Sequence, residues 1–286
     1  MSMFKTFVAL SHFNLNRINA QILLLLSGLY VIVTVYGVAG VSSMSYLDPD
    51  TGMEMVSSGN IWRAIYSLFA ENFFLSIPIF LICIYCVYCI FKGDIYEDKA
   101  KIRSGNYLKY INAKMLLVFG INSFVCLGAF LVTFLISMLF FDIKWGWDPE
   151  CEFWYPYMQF YSVWRFSSTT IISYVTVISA LSYLFGIALT RIRHHLIGPA
   201  SILVYLVFQS FISQLDPMIK GVNGVKLFCM STYLMTGERK LYADTPVGNG
   251  YAFLTVTQGV VIPVVACMVI YTLIILTIQL KIIREG

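Results

Sequence analysis

The sequence predicts an all-α membrane protein with six transmembrane helices, an N-terminal interfacial helix and a short cytoplasmic helix between spans two and three. Three observations predict it. First, only 12% of the 286 residues are charged while 59% are hydrophobic, and the mean hydropathy is +0.78. Soluble domains carry roughly 25% charged residues. Second, the apolar residues are gathered into long runs, and 73–91 and 115–141 contain no charge. A backbone in lipid must satisfy its own hydrogen bonds, which leaves helices or a closed barrel. Uncharged runs close to the roughly 20 residues that a helix needs to cross select helices. Third, Lys and Arg are shared unequally between the segments that join these runs, which fixes an orientation.

Residues 1–19 precede the first span. Phe4, Phe7, Val8 and Leu15 fall on one helical face, and Lys5, His12, Asn16 and Asn19 on another. This is the pattern of a helix lying in the membrane interface. A secretory signal is the weaker reading, because the apolar run 18–47 is too long for an h-region and has no clear A-x-A site. The first span covers about 20–41. Asp48, Pro49, Asp50, Gly52 and Glu54 follow as an acidic, turn-rich outer loop. Residues 61–72 have the composition of a short helix ahead of the second span, 73–91, where Pro78 either kinks the helix or marks its outer end.

The longest charged stretch of the chain, 92–114, then holds Lys92, Lys99, Lys101, Arg103, Lys109 and Lys114 against Asp94, Glu97 and Asp98. Acids near its start and lysines near its end suit the dipole of a short helix. Two readings stay open: a docking helix presented to a cytoplasmic partner, or a solvated loop that only fixes topology. The third span covers about 115–140. Residues 142–165 carry Trp145, Trp147, Trp154 and Trp164 with Phe153, Tyr155, Tyr157 and Tyr161. That composition is first of all an aromatic belt at the outer interface, and contact with emerging substrate is the minor reading.

The fourth span, about 166–190, ends in the inner turn Arg191, Arg193, His194 and His195, and Gly198-Pro199 opens a fifth span reaching about 213. The outer segment 216–250 includes an apolar patch, Leu227, Phe228, Met230, Tyr233 and Leu234, too short to span and suited to a helix resting at the interface. The sixth span, about 255–280, contains Pro263, and Lys281 and Arg284 follow it.

On this topology Lys5, Arg17, the basic residues of 92–114, Arg191, Arg193, Lys281 and Arg284 lie inside. Arg63, Lys144, Arg165, Lys220, Lys226, Arg239 and Lys240 lie outside, with most of the acidic residues. The bias places both termini in the cytoplasm of a multi-pass plasma-membrane protein. The net charge of +4 follows from topology and requires no nucleic-acid partner.

Several chemistries are excluded. No span carries a clear buried charge, which argues against ion-coupled transport. The three histidines, His12, His194 and His195, lie outside the spans, and no H-E-x-x-H, G-x-S-x-G or P-loop is present. His194 and His195 are neighbours that do not face one another on a helix, so they read as a cationic turn rather than a metal site. Cys83, Cys86 and Cys89 line one side of a helix with no His or carboxylate nearby to complete a site, and read as packing residues. Cys151 and Cys229 fall in the two outer loops as a disulfide pair or, more simply, two thiols. Little chain is left for a soluble catalytic domain, so any ATP must be used by a partner.

The interfacial N-terminal helix, six spans and a charged loop between spans two and three resemble the permease subunit of a type-2 ABC exporter (ABC-2 type). The segment Ser104-Gly105-Asn106-Tyr107-Leu108-Lys109-Tyr110-Ile111-Asn112-Ala113-Lys114 is similar to the stretch where that family leaves its coupling helix and enters span three. The fuller acidic-Gly-Thr pattern of the family is absent. The resemblance implies a single permease domain, 1–286, that dimerises with a second permease copy and binds a separate ABC ATPase, which carries the ATP and Mg; this chain then has no cofactor and is not an enzyme. It also implies that 92–114 is a cytoplasmic coupling helix docked in the ATPase through Glu97, Asp98, Lys101, Arg103 and Lys109. The substrate path would be lined by spans two and five, with Phe73, Phe74, Tyr85, Tyr205, Phe208 and Phe211 as its wall. Such a wall suits an amphipathic cargo, as in the small permeases that export phenol-soluble-modulin or bacteriocin peptides. Alternatives are export of lipids, lipid-linked glycans or hydrophobic drugs, or a non-transporting toxin-immunity membrane protein.

Overall fold

The structure is a computed structural model that describes residues 8, 18–42, 45–47, 54–56, 60–71, 75–91, 107–147, 162–191, 197–214, 229, 233–234 and 256–285. Helix α1 (Ala20–Ser42) opens behind Asn19, whose Oδ1 accepts the Gln21 backbone N–H at 2.9 Å. A small antiparallel hairpin follows, β1 (Ser45–Leu47) against β2 (Glu54–Val56), with Ser45 opposite Val56. It brackets the predicted acidic turn. Among the described residues, every other regular element is helical.

Helix α2 (Ile61–Tyr66) is capped by Asn60, whose Oδ1 accepts the Trp62 N–H at 3.0 Å, and it runs on as a π-helical turn, Ser67–Glu71. A new helix, α3 (Ser76–Phe91), starts after this break. Pro78 lies in its first turn, where the missing N–H would have had no partner, so the proline marks the start of the helix and does not kink it. The long helices α4 (Tyr107–Ser137), α5 (Val163–Arg191), α6 (Ile197–Gln214) and α7 (Val256–Glu285) complete the bundle, with Pro263 inside α7.

Four segments are long and apolar enough to cross a membrane: Ala20–Ser42, Leu108–Ser137, Val163–Gly186 and Val260–Thr277. They match predicted spans one, three, four and six. Helices α3 and α6 fall at spans two and five, and neither is among those four segments. The 16 residues of α3 rise about 24 Å against a hydrocarbon core of about 30 Å. Residues 72–74, between the π-helical turn and Leu75, lie outside the described residues.

The boundary at the charged stretch also moves. Helix α4 begins at Tyr107, not near residue 115, because Tyr107–Lys114 contains neither Gly nor Pro and its Leu108, Tyr110, Ile111 and Ala113 continue a helical packing pattern. Its 31 residues rise about 46 Å, more than a bilayer core requires. Residues 92–106, and most of the segments 1–17 and 216–250, lie outside the described residues.

Helix α5 is the hub. It packs against α3, α4, α6 and α7, and residues 173–180 are buried on every side. Two apolar clusters flank the middle of the bundle. One joins Ile61, Tyr66, Phe69, Phe80, Phe166 and Tyr174, and the other joins Phe91, Tyr110, Met115, Val118, Tyr183 and Ile274.

Candidate functional site

A polar seam runs through the otherwise apolar interior of this bundle. Along α5, Ser167, Thr170, Ser173, Thr176, Ser179 and Ser182 recur at every third residue, and all are buried. A step of three residues turns about 60° short of a full circle at 100° per residue, so the hydroxyls wind round the helix. The middle of α5, residues 173–180, is enclosed on every side, so the line stays buried there as it winds. Some of these groups bond within their own helix: Ser167 Oγ donates to Val163 O at 2.8 Å, and Thr176 Oγ1 to Ile172 O at 2.7 Å. Others join helices. Asn122 of α4, fully buried, donates from Nδ2 to Ser182 Oγ at 3.0 Å and to Ser179 Oγ at 3.3 Å.

The seam is incompletely satisfied. Asn122 Oδ1, Thr170 Oγ1, Ser173 Oγ and both amide atoms of Gln209 have no hydrogen-bond partner among the described residues. Gln209 lies one turn beyond Tyr205 on the buried face of α6, with Ile202 and Ile212. Unpaired polar groups away from water are costly, so this seam is where the bundle has hydrogen-bonding capacity to offer a polar group or to exchange between helix packings. The sequence analysis missed it. The period-three spacing of Ser and Thr in 167–182 was the available signal.

A second polar feature corrects the expectation that no span holds a buried charge. Lys114 lies within Leu108–Ser137 and is 1% exposed. Its Nζ is 4.8 Å from the ring centroid of Tyr110 and 5.4 Å from that of Phe91. The quadrupoles of the two rings attract the ammonium, which ties the end of α3 to the start of α4. The Phe91 ring in turn covers Gly186 of α5, where an added Cβ would come within 2.8 Å of it.

The predicted site residues divide. Of the coupling residues, Glu97, Asp98, Lys101 and Arg103 lie outside the described residues, and Lys109 is exposed on the first turns of α4. Of the proposed wall, Phe73 and Phe74 lie outside the described residues. Tyr85 accepts the Asn19 N–H at 3.0 Å and sits between α3 and the start of α1. Tyr205 belongs to an aromatic group with Phe80 and Phe185, at 6.5 and 6.2 Å between centroids. Phe208 and Phe211 lie on the opposite face of α6, 42% and 65% exposed, beside Val204 and Val207. Among the described residues, Tyr85, Tyr205 and the pair Phe208 and Phe211 therefore lie in different surroundings. The structure brings Phe208 and Phe211 onto an open stripe and withdraws Tyr205 into the packing.

At the other end of the bundle, the aromatic segment after α4 is stapled to α2. Asn60 Nδ2 donates to Gly146 O at 2.7 Å, and Trp62 Nε1 to Lys144 O at 2.9 Å. Trp147 packs on Tyr66 and Phe166, whereas Trp145 and Trp164 stack on each other at the surface, 6.0 Å apart. Of the predicted belt, Trp145 and Trp164 are thus at the surface and Trp147 is in the packing, while Phe153, Trp154, Tyr155, Tyr157 and Tyr161 lie outside the described residues. Cys83, Cys86 and Cys89 are buried in α3, and Cys229 is buried in the outer segment, while Cys151 lies outside the described residues.

No family model matches the chain, and no curated protein or solved structure matches it either.

Proposed function

We propose that this chain is the transmembrane permease subunit of an ATP-driven ABC exporter. In this reading it pairs with a second copy, binds a separate ATPase at the cytoplasmic surface of the plasma membrane, and moves amphipathic peptides outward by alternating access. One observation carries the reading. A stretch rich in Lys and Arg, 92–106, is held between the ends of two helices, α3 ending at Phe91 and α4 starting at Tyr107, in a chain without a nucleotide-binding motif. Helix α4 is long enough to stand out of the hydrocarbon, which supports a place for Lys109, exposed on its first turns, at the membrane surface.

The rest of the bundle is compatible with such a task. The contact of Lys114 with Phe91 and Tyr110 would transmit a push on the charged stretch to the junction of α3, α4 and α5. The exposed stripe Val204, Val207, Phe208 and Phe211 offers an apolar surface to a cargo lying between two copies. The test is a pull-down of the partner ATPase. Reversing the charges at Glu97 and Arg103 together should release the ATPase while the protein still inserts in the membrane. Undiminished binding by the double variant would refute the docking site.

A further inference from the structure

A groove runs between α1, α3 and α4, with a volume of about 490 Å³. Pockets for small ligands span about 300–1,000 Å³. Leu117 and Ile121 mark one end and Val132 the other, with Tyr30 and Ile82 in the floor. We infer that this groove binds one acyl chain of a bilayer phospholipid. The inference rests on these helices lying in a bilayer and is independent of whether the protein exports anything.

Two glycines of α4 hold the groove open. Gly120 and Gly128 line it, and a Cβ added to either would meet nothing within 4 Å. Small residues in membrane helices ordinarily let two helices approach closely. Gly37 does so here, since a Cβ on it would come within 2.5 Å of Leu68. Gly120 and Gly128 instead face open space. The walls are hydrocarbon, and the one phenol in the floor is already engaged: Tyr30 OH bonds to Ala129 O at 2.7 Å and lies 2.6 Å from Thr133 Oγ1. Ser27 and Cys86 are the other lining residues with a polar atom and neither is charged, so the groove has little with which to recognise a polar headgroup.

Dimensions and polarity select the occupant. From Leu117 to Val132 the groove follows about 22 Å of helix, against about 15 Å for one leaflet of the hydrocarbon core. It is long enough for an extended chain. Its Leu117 end also includes Ile18, next to Asn19, whose backbone N–H bonds Tyr85 OH. That end lies at the start of the Ala20–Ser42 span, whereas the Val132 end lies beside Tyr30, near the middle of that span. A lipid would place its headgroup at the Asn19 end and its chain terminus near Val132. The groove also continues into the outward faces of α1 and α4, where Leu24 and Phe124 are 76% and 79% exposed.

The experiment reconstitutes the full-length protein in phosphatidylcholine bilayers containing a trace of phospholipid with a photoactivatable diazirine on one acyl chain, and maps adducts by mass spectrometry. A diazirine near the chain terminus should label 125–132 and one near the carbonyl should label 117–121, several-fold above lipid-facing positions such as Leu135 and Val261. Gly128→Leu and Gly120→Leu should abolish the excess. Leu favours a helix over Gly and points into empty space, so these variants should fold, and their melting temperatures check this. Phe124→Ala, which widens the mouth, should preserve or raise the labelling. Equal labelling of all lipid-facing positions, or an excess unchanged by the filled variants, would overturn the inference. So would efficient disulfide formation between copies through Gly128→Cys, which would mean that a second chain covers the groove.

Discussion

At the level of single residues, the interior of the bundle is decided by groups that hydropathy averages away. Asn122 contributes little to the mean of a 31-residue helix, yet it joins α4 to two hydroxyls of α5. Its removal measures what that junction contributes. Hydrogen bonds between membrane helices average about 0.6 kcal/mol and reach about 1.7 kcal/mol. Asn122→Ala should therefore lower stability by about 1–2 kcal/mol once the lost packing is included. A double-mutant cycle with Ser182→Ala should return a coupling near 0.6 kcal/mol. Reversible unfolding in mixed micelles reads both values, and zero coupling would show that the contact is incidental. Lys114 illustrates the same limit of sequence reading from the other side. It stood out as a charge at the edge of an apolar run, but its enclosure by Phe91 and Tyr110 depends on where α3 ends relative to α4, which no local pattern encodes.

The elements themselves were legible to the extent that their physics is local. The places of α1, α4, α5 and α7 follow from apolar runs, although α4 begins at Tyr107, ahead of its uncharged run. Pro78, open between a kink and the outer end of span two, lies in the first turn of α3. The short helix ahead of span two was legible as α2, but its continuation as a π-helical turn over Ser67–Glu71 was not. The crossing of α3 and α5 was not legible either, because it rests on one glycine meeting one ring. Gly186 receives Phe91 so closely that an added Cβ would lie within about 3.1 Å of three ring atoms. Gly186→Val should overpack this crossing and cost about 1–3 kcal/mol. Phe91→Leu in the same chain should restore part of the loss, since it removes the ring edge that the new methyls strike. Thermal unfolding of the two single variants and the double variant tests this; additive losses would mean that the two residues do not meet.

For the whole molecule, orientation and cargo are the two properties that the helices leave to experiment. The Lys and Arg bias predicts that Ser104→Cys reacts with an impermeant thiol reagent only after permeabilisation, whereas Lys144→Cys, at an exposed position, reacts in intact cells. The reverse pattern would invert the topology. Cargo is the sharper question, because the structure divides residues that the sequence grouped together. Tyr205 is held by Phe80 and Phe185, so Tyr205→Ala should destabilise the bundle whether or not the protein transports a cargo. Phe208 and Phe211 project from α6 and contribute little to the packing of one copy, so replacing both with Ala should leave the melting temperature nearly unchanged. If they line the path of an amphipathic cargo, affinity comes from burying apolar surface at roughly 25 cal/mol per Å², less the cost of ordering a flexible peptide. Such a surface is permissive. Several unrelated amphipathic helical peptides should then stimulate the partner ATPase, and scrambling a peptide to destroy its apolar face should abolish the effect. The Phe208→Ala, Phe211→Ala double variant should weaken the response to all of these peptides together. Stimulation by scrambled peptides equal to that by intact ones, or by a single charged small molecule alone, would rule out the amphipathic-peptide reading.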